Sequence, residues 1–235
     1  MSDQSPQKSR YWAVVPSAGV GRRMGAPIPK QYLEINNKTV IEYTLDCLIS
    51  HPAINGLVIA MHPDDSWWSE IQLHRDKPMS IVDGGEERCH SVLNALSFLM
   101  ENAEANDWVL VHDAARPCLR HEDIDKLLDQ AGQDIGGILA MPVRDTMKRA
   151  DGHQHIRETV ERNQLWHALT PQMFRLGQLH AALTQAIASQ AMVTDEASAM
   201  EMAGYRPLLV EGRADNIKIT RPEDLALAEF YLEQK

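Results

Sequence analysis

Residues 11–30 of this 235-residue chain read YWAVVPSAGVGRRMGAPIPK, a short apolar run followed by a glycine-rich loop. Residues 11–15 are aromatic or β-branched apart from one alanine, which is typical of a buried strand. In the loop, Gly19 and Gly21 allow backbone N–H groups to approach an anion closely. Three cationic side chains follow, Arg22, Arg23 and Lys30. The pattern predicts a strand that leads into a phosphate-binding loop, the alternative being an ordinary glycine turn with solvated charges.

The rest of the chain alternates short apolar runs with amphipathic stretches. The apolar runs predict strands at residues 56–61, 79–82, 108–111 and 137–143. Helical spacing of apolar residues predicts helices over residues 39–50, 88–100, 121–131, 176–190 and 195–203. A last helix is expected after a capping box formed by residues 220–223, TRPE. Continuous apolar strands between helices are typical of a mostly parallel sheet with helices on both faces, so we expect an α/β, Rossmann-like three-layer fold.

The alternation breaks between Arg144 and about Gln172. This stretch is polar, lacks a helical period and has a turn signal at residues 151–152, Asp-Gly. Residues 146–148 and 159–161 are predicted to pair as a projecting hairpin. So large an excursion from a compact domain is more often functional or an interface than a slack loop. We therefore expect residues 11–235 to form a single domain with a projecting β-arm at about 144–172.

Composition argues against several classes of protein. Apolar residues make up 44% and charged residues 24%, as in ordinary soluble globular proteins. Lys and Arg number 23 against 33 Asp and Glu, and the net charge of −10 argues against binding to nucleic acid. No apolar run approaches the roughly 18 residues of a membrane span. The polar residues 1–10 predict a flexible tail rather than a signal peptide, so we expect a cytoplasmic protein.

The three cysteines are too few and too far apart to indicate a disulfide framework or a cysteine-based structural zinc site. Two familiar nucleotide-binding motifs are also missing. The dinucleotide motif G-x-G-x-x-G needs glycine at position 24, where this chain has Met24, and the P-loop tripeptide G-K-[S/T] does not occur. A Rossmann-type NAD-dependent oxidoreductase and a non-catalytic nucleotide sensor remain alternatives. NAD binding would support the first, and measurable turnover would exclude the second.

Polar residues at other strand ends are further candidates. Asp113 follows the predicted strand at 108–111, where open α/β sheets bind ligands, and a carboxylate there can hold Mg²⁺. Arg116 would then meet a second anion; the alternative is that Asp113 caps a turn and Arg116 is a surface residue. Asp215 and Lys218 would converge in a turn as a second carboxylate and a phosphate-binding cation, the alternative being surface charges.

The segment after the strand at 79–82 is a fourth candidate. Its sequence, DGGEERCHSV, joins that strand to a helix. Gly84 and Gly85 permit close approach of the backbone, and Ser91 falls in the first helical turn. These groups suit recognition of a base or ribose by backbone and hydroxyl contacts, and they equally suit an ordinary helix start.

Seven stretches, in this order, resemble one known family. They are PSAGVGRRM with the nearby PKQY, DGGEERCHSV, VLVHDAARP, PVRDTMKR, TVERNQLWHALTPQ, VTDEASAM and VEGRADNIKITRPEDLALAE, and they span nearly the whole chain after the first ten residues. On these motifs the chain is similar to the 2-C-methyl-D-erythritol 4-phosphate cytidylyltransferase family of the non-mevalonate isoprenoid pathway. Ser17 stands where that family commonly has alanine, and a small side chain should be tolerated there.

The resemblance implies a nucleotidyltransferase fold and transfer of CMP from CTP to 2-C-methyl-D-erythritol 4-phosphate, with release of pyrophosphate. It further implies Mg²⁺ as cofactor and a homodimer whose arm reaches the neighbouring subunit. Another sugar-phosphate nucleotidyltransferase of the same fold is the nearest alternative, because base selection depends on backbone contacts. Activity with CTP against the other three nucleotides separates the two.

The motifs imply site residues position by position. The CTP-binding set is Ser17, Ala18, Gly19, Gly21, Gly85, Glu86, Ser91 and Ala114. The catalytic cations are Arg23, Lys30 and Lys218. The metal carboxylates are Asp113 and Asp215. The sugar-phosphate set is Arg116, Thr146, Arg162, Thr170, Asp215 and Lys218, of which Thr146 and Arg162 lie on the predicted arm.

Overall fold

A seven-stranded sheet forms the centre of the computed structural model, which describes residues 9–19, 28–73 and 76–234. In spatial order its strands are β11 (Leu208–Glu211), β7 (Gly136–Pro142), β10 (Trp166–Arg175), β6 (Trp108–Val111), β1 (Tyr11–Pro16), β4 (Ile54–Met61) and β5 (Met79–Asp83). Neighbouring strands are parallel except at β10, which is antiparallel to both β6 and β7. The mostly parallel sheet expected from the apolar runs is confirmed.

Helices cover both faces of this sheet. They are α1 (Val40–Ser50), α2 (Arg88–Asn102), α3 (His121–Ala131), α4 (Leu176–Ala188), α5 (Glu196–Met202) and α6 (Pro222–Glu233). Side chains alternate along β1: Ala13 and Val15 pack in a cluster with α1 and α3, whereas Val14 packs in a second cluster with α2, α4 and α5. The expected three-layer fold is therefore confirmed, and its two helix layers hold the strand ends in fixed positions.

The start of α6 differs from the expected capping box. The helix begins at Pro222, and Asp224 rather than Glu223 performs the capping. The Asp224 carboxylate accepts hydrogen bonds from the backbone N–H of Thr220 and of Arg221, both at 2.8 Å. An acidic side chain in the first turn is also favoured by the helix dipole, so α6 is stabilised one position later than the sequence motif predicts.

The expected projecting hairpin is present. Strands β8 (Met147–Ala150) and β9 (Ile156–Val160) pair antiparallel, with Met147 opposite Val160, and their side chains are almost all exposed. Two shorter strands, β2 (Glu34–Ile35) and β3 (Lys38–Thr39), form a separate pair. The excursion is shorter than the predicted 144–172, because β10 returns to the central sheet at Trp166 and is buried from Leu169 to Phe174.

The N-terminal boundary also differs from the expected one. Residues 1–8 of the predicted tail lie outside the described part of the chain. Ser9 and Arg10 are attached to the domain: the Arg10 backbone N–H donates to Asp107 Oδ1 at 2.9 Å, and Arg175 Nη1 donates to Ser9 Oγ at 3.0 Å. Among the described residues, no helix is both long and apolar enough to span a membrane.

Candidate active site

A cavity of about 430 Å³ opens where three parallel strands end. Its walls come from the segments that follow β1, β5 and β6, which is where α/β sheets place their ligands. Most of the predicted site residues line it: Ser17, Ala18, Gly19, Lys30, Gly85, Glu86, Ser91, Asp113, Ala114 and Lys218. Segments up to two hundred residues apart in the chain therefore meet at this one place.

Asp113 is the centre of charge in the cavity wall, and only 6% of it is exposed. Its Oδ1 accepts from Arg88 Nε at 2.9 Å, and its Oδ2 accepts from Lys218 Nζ at 2.9 Å and from Arg116 Nε at 3.3 Å. Burial alone would raise the pKa of Asp113, but the charges of Arg88, Lys218 and Arg116 outweigh it and hold that pKa well below its usual range. Asp113 is thus a fixed anion that orders three cations.

One of these cations, Arg88, extends the cluster to a second carboxylate. Arg88 Nη1 and Nη2 donate to the two oxygens of Glu196 at 2.6 and 3.1 Å, a bidentate ion pair with a carboxylate that is 1% exposed. Arg88 opens α2 and Glu196 opens α5, so the pair joins two helix starts. Neither residue was among the predicted site residues, although Arg88 lies in the motif DGGEERCHSV and Glu196 in VTDEASAM.

A network of hydrogen bonds among buried residues holds Asp113 in place. The Asp113 backbone N–H donates to Thr170 Oγ1 at 3.2 Å, and Thr170 Oγ1 lies 2.9 Å from His112 Nδ1. His112 Nε2 lies 3.2 Å from the Arg116 carbonyl oxygen, so a proton on Nε2 satisfies both ring nitrogens. Asn216 Nδ2 donates to the Thr170 carbonyl at 2.8 Å, and Arg116 Nη1 donates to the Asn216 carbonyl at 2.7 Å. Thr170 and Arg116 therefore underlie the cavity, outside its lining.

A single 3-10 turn, Lys30–Tyr32, brings the catalytic lysine candidate to the cavity lining. Lys30 Nζ donates to the Ile219 carbonyl at 3.0 Å, beside the segment that bears Lys218. The next side chain, Gln31, is buried and donates to the Ser17 carbonyl at 2.9 Å. Gln31 thus ties this turn to the end of β1, a positioning contact that sequence analysis did not identify.

Close backbone approach explains the glycines after β5. A Cβ on Gly84 would lie 2.3 Å from the Cβ of Ala18, so only glycine lets the two loops touch. The Gly85 backbone N–H donates to Ser91 Oγ at 3.0 Å, and Ser91 Oγ donates to the Glu87 carbonyl at 3.2 Å. The loop between β5 and α2 is thereby fixed against the loop after β1.

The remaining predicted residues lie elsewhere. Asp215 is outside the cavity lining, and its Oδ2 accepts from Arg120 Nη2 at 3.0 Å and from Arg213 Nη2 at 2.5 Å. Burial would raise the pKa of Asp215, but the Arg213 hydrogen bond and the charges of Arg213 and Arg120 hold it below its ordinary value. Thr146 and Arg162 are exposed on the arm. Two predicted residues, Gly21 and Arg23, lie outside the described residues.

The donor set fits Mg²⁺ in part. Magnesium is commonly held by one or two carboxylates together with substrate phosphates. Asp113 fits this pattern, being a carboxylate at a strand end on the cavity wall, although both of its oxygens accept from cations. Asp113 would hold such a metal together with phosphate oxygens of a substrate, and the metal would then share Asp113 with the cations that contact it. The described structure does not bring Asp215, the second expected ligand, to the cavity lining.

Comparison with known proteins agrees with this arrangement. A sequence profile described as 2-C-methyl-D-erythritol 4-phosphate cytidylyltransferase matches residues 11–234. A protein of that name from Vibrio vulnificus is 55% identical over 224 residues, which is 95% of this chain and 94% of the relative. A namesake from Pseudomonas fluorescens is 54% identical over 217 residues, or 92% of each chain.

Solved structures give the same result. The crystal structure of a 4-diphosphocytidyl-2C-methyl-D-erythritol synthase is 40% identical, with a TM-score of 0.83 over 96% of this chain and 100% of that one. The 2-C-methyl-D-erythritol 4-phosphate cytidylyltransferase of Francisella tularensis is 38% identical, also with a TM-score of 0.83, over 95% and 100%.

The three-layer fold and the cationic cavity at its strand ends define a nucleotidyltransferase. More particularly, the chain belongs to the 2-C-methyl-D-erythritol 4-phosphate cytidylyltransferase family. The family resemblance drawn from the seven motifs is confirmed.

Proposed function

We propose that the cavity described above transfers CMP from CTP to 2-C-methyl-D-erythritol 4-phosphate, giving 4-diphosphocytidyl-2-C-methyl-D-erythritol and pyrophosphate in isoprenoid precursor biosynthesis. The observation that carries this proposal is the meeting of Lys30, Lys218 and Asp113 in one cavity of a family member. Two lysines that line the same cavity can bind a triphosphate and a second phosphate group held close to it.

The reaction needs charge placement more than proton transfer. A phosphate oxygen of the sugar phosphate forms a bond to the α-phosphorus of CTP, and the bond from that phosphorus to the bridging oxygen breaks. Pyrophosphate leaves with the bonding electrons. Because the nucleophile is already anionic, no strong general base is required. The obstacle is repulsion between two polyanions, so positioning and fixed positive charge carry the catalysis.

The chain supplies that charge from rigid elements. Lys30 is anchored on a turn that Gln31 holds against β1, and Lys218 is ordered by Asp113. Both lysines would stabilise the phosphoryl oxygens as negative charge concentrates on them. Arg23, which lies outside the described residues, remains a predicted third cation. The loop around Gly85, Glu86 and Ser91 would hold the cytidine, with Ala18 and Ala114 as its neighbours in the lining.

The metal belongs to the proposal as well. When bound by Asp113 and the triphosphate oxygens, Mg²⁺ would neutralise charge on the pyrophosphate leaving group. Asp215 remains a predicted second ligand of this metal. The location of the protein in the cytoplasm likewise remains a prediction.

The arm is proposed to act in a homodimer. Thr146 and Arg162 are exposed on the arm and outside the cavity lining, so we propose that they act at the site of a second copy of the chain.

A heterodimer of two different variants tests whether the arm acts at the neighbouring subunit. Lys30→Ala and Arg162→Glu chains, each weak as a homodimer, are co-expressed with different tags. If the arm crosses between subunits, the heterodimer has one site with both residues intact and regains about half of wild-type turnover. Failure to isolate the heterodimer, or an isolated one without recovery, contradicts the proposal.

Pyrophosphate release tests the reaction itself. The protein is assayed with CTP and Mg²⁺, with and without 2-C-methyl-D-erythritol 4-phosphate, and then with ATP, GTP and UTP in place of CTP. We expect release that depends on the sugar phosphate and is weak with the other nucleotides. Release that is equal with another nucleotide, or none with this acceptor, contradicts the proposed substrates.

A further inference from the structure

A second group of potential metal ligands lies at the start of α2, and one member of it, Glu87, also lines the nucleotide cavity. It consists of the Glu87 carboxylate, the Cys89 thiol and a ring nitrogen of His90, whose ligand atoms all lie within 4.8 Å of one another. The Cys89 Sγ to Glu87 Oε2 distance is 3.8 Å. None of these three side chains has a role in the reaction proposed above, in which Asp113 is the residue proposed to hold Mg²⁺.

We infer that Glu87, Cys89 and His90 form a binding site for a Zn²⁺-class transition metal. Thiolate, imidazole and carboxylate are the three ligand types that Zn²⁺ takes from proteins, and a mixed set of three leaves a fourth position open. Mg²⁺ and Ca²⁺ prefer sites made of oxygen alone, so the thiol and the imidazole discriminate against them.

The spacing is close to that of a tetrahedral site. With bonds of about 2.0 Å to N and O and 2.3 Å to S, neighbouring ligand atoms lie roughly 3.3–3.6 Å apart. The sulfur–oxygen distance of 3.8 Å is near that range. The other atoms lie within 4.8 Å, so closure needs shifts of about 1 Å, within the reach of side-chain rotation at the exposed Glu87.

A separate observation points to an unsatisfied polar group at this place. His90 Nδ1 is a buried nitrogen that has no hydrogen-bond partner among the described residues. A buried polar atom without a partner costs free energy, so the His90 imidazole carries an unsatisfied nitrogen next to the Glu87 and Cys89 side chains.

The site is physically joined to the cavity. A Cβ on Gly85 would lie 2.3 Å from the Cβ of His90, which shows how closely the cavity loop rests on this helical turn. Glu87 itself lines the cavity, and its carbonyl accepts from Ser91 Oγ. A cation bound here would fix Glu87 and the loop that carries Gly85.

Cobalt titration tests the site without any turnover measurement. Co²⁺ is added to the full-length protein in the presence of excess Mg²⁺, and the thiolate-to-cobalt charge-transfer band is followed; Zn²⁺ is then added to displace it. We expect a band that saturates at one Co²⁺ per chain and disappears with Zn²⁺. Absence of the band in the wild-type protein overturns the inference.

Variants assign the band to the three residues. Cys89→Ala should abolish it, and His90→Asn should weaken Co²⁺ binding at least about 100-fold, since even outer-shell changes cost 10–100-fold. Cys47→Ala is the matched control, because it removes a thiol on α1 and should leave the band unchanged. His90→Asn keeps the inference testable if Cys89→Ala does not fold. A band that survives His90→Asn unchanged, or that is lost in Cys47→Ala, contradicts the assignment.

Discussion

Arg88 and Glu196 form a bidentate ion pair although 108 residues separate them in the chain. Because Arg88 also donates to Asp113, the pair connects the first turns of α2 and α5 to the charged residue in the cavity wall. Among the described residues, the Glu196 carboxylate hydrogen-bonds to no cavity-lining side chain other than Arg88, so Glu196 acts as a positioning residue. The orientation of Asp113 thus depends on a carboxylate outside the cavity.

Removing Glu196 should destabilise the protein. Glu196→Ala leaves a largely buried guanidinium with one partner instead of two, and we expect a loss of about 3 kcal/mol in the free energy of unfolding. Urea denaturation of both proteins measures it. Glu201→Ala on the exposed side of the same helix is the control and should change stability by less than about 0.5 kcal/mol. Equal effects of the two substitutions would remove the special role of the pair.

Lys30→Ala should lower turnover far more than CTP affinity. The lysine is assigned to charge that develops as the α-phosphorus reacts, and loss of one such preorganised donor costs about 10²–10³ in kcat. Steady-state kinetics and a separate CTP binding titration give the two quantities. Lys126→Ala, an exposed lysine on α3, should change neither. A variant that loses affinity alone would show that Lys30 binds the ground state.

Arg162→Glu should weaken the sugar phosphate and spare CTP. Reversing one charge on the arm replaces attraction by repulsion for a phosphate dianion, and we expect KM for the sugar phosphate to rise at least about 10-fold. Arg157→Glu, on β9 of the same hairpin, controls for a general effect of charge on the arm. The assignment is wrong if KM for the sugar phosphate stays unchanged, or if Arg157→Glu raises it as much.

Stability should fall as pH drops from about 6.5 to about 4 because of His112. This ring is fully buried, and burial lowers its pKa from 6.5 to about 4. In that window the unfolded chain binds the proton and the folded one does not, so acid favours unfolding, by about 3 kcal/mol in total at 1.36 kcal/mol per unit. Urea denaturation at pH 7, 5.5 and 4.5 measures the slope. His112→Gln should flatten it, while His153→Gln at the exposed tip of the arm should not.

Local patterns determined much of the fold. Periodicity predicted the strand at residues 108–111 and the helix at residues 121–131 with the bounds that the structure has. The polar hairpin was predictable because its exposed strands lack a helical period. The end of the arm was not predictable in this way, because Pro171 and its polar neighbours made residues 169–172 resemble a loop. Those polar groups are buried with distant partners, and the β10–β7 ladder is interrupted between Ala168 and Gln172, the interval that contains Pro171.

The residue types that could bind phosphate were predictable from the order of residues alone, because glycines, cations and a strand-end carboxylate occur in short local motifs. How these residues contact one another depends on the folded molecule. It placed Asp113 among three cations, gave Arg88 a second carboxylate and held Asp215 between Arg120 and Arg213. Two of these contacts are local, Asp113–Arg116 and Asp215–Arg213. The others join residues from different elements, so they depend on how the helices pack on the sheet, which a local pattern does not encode.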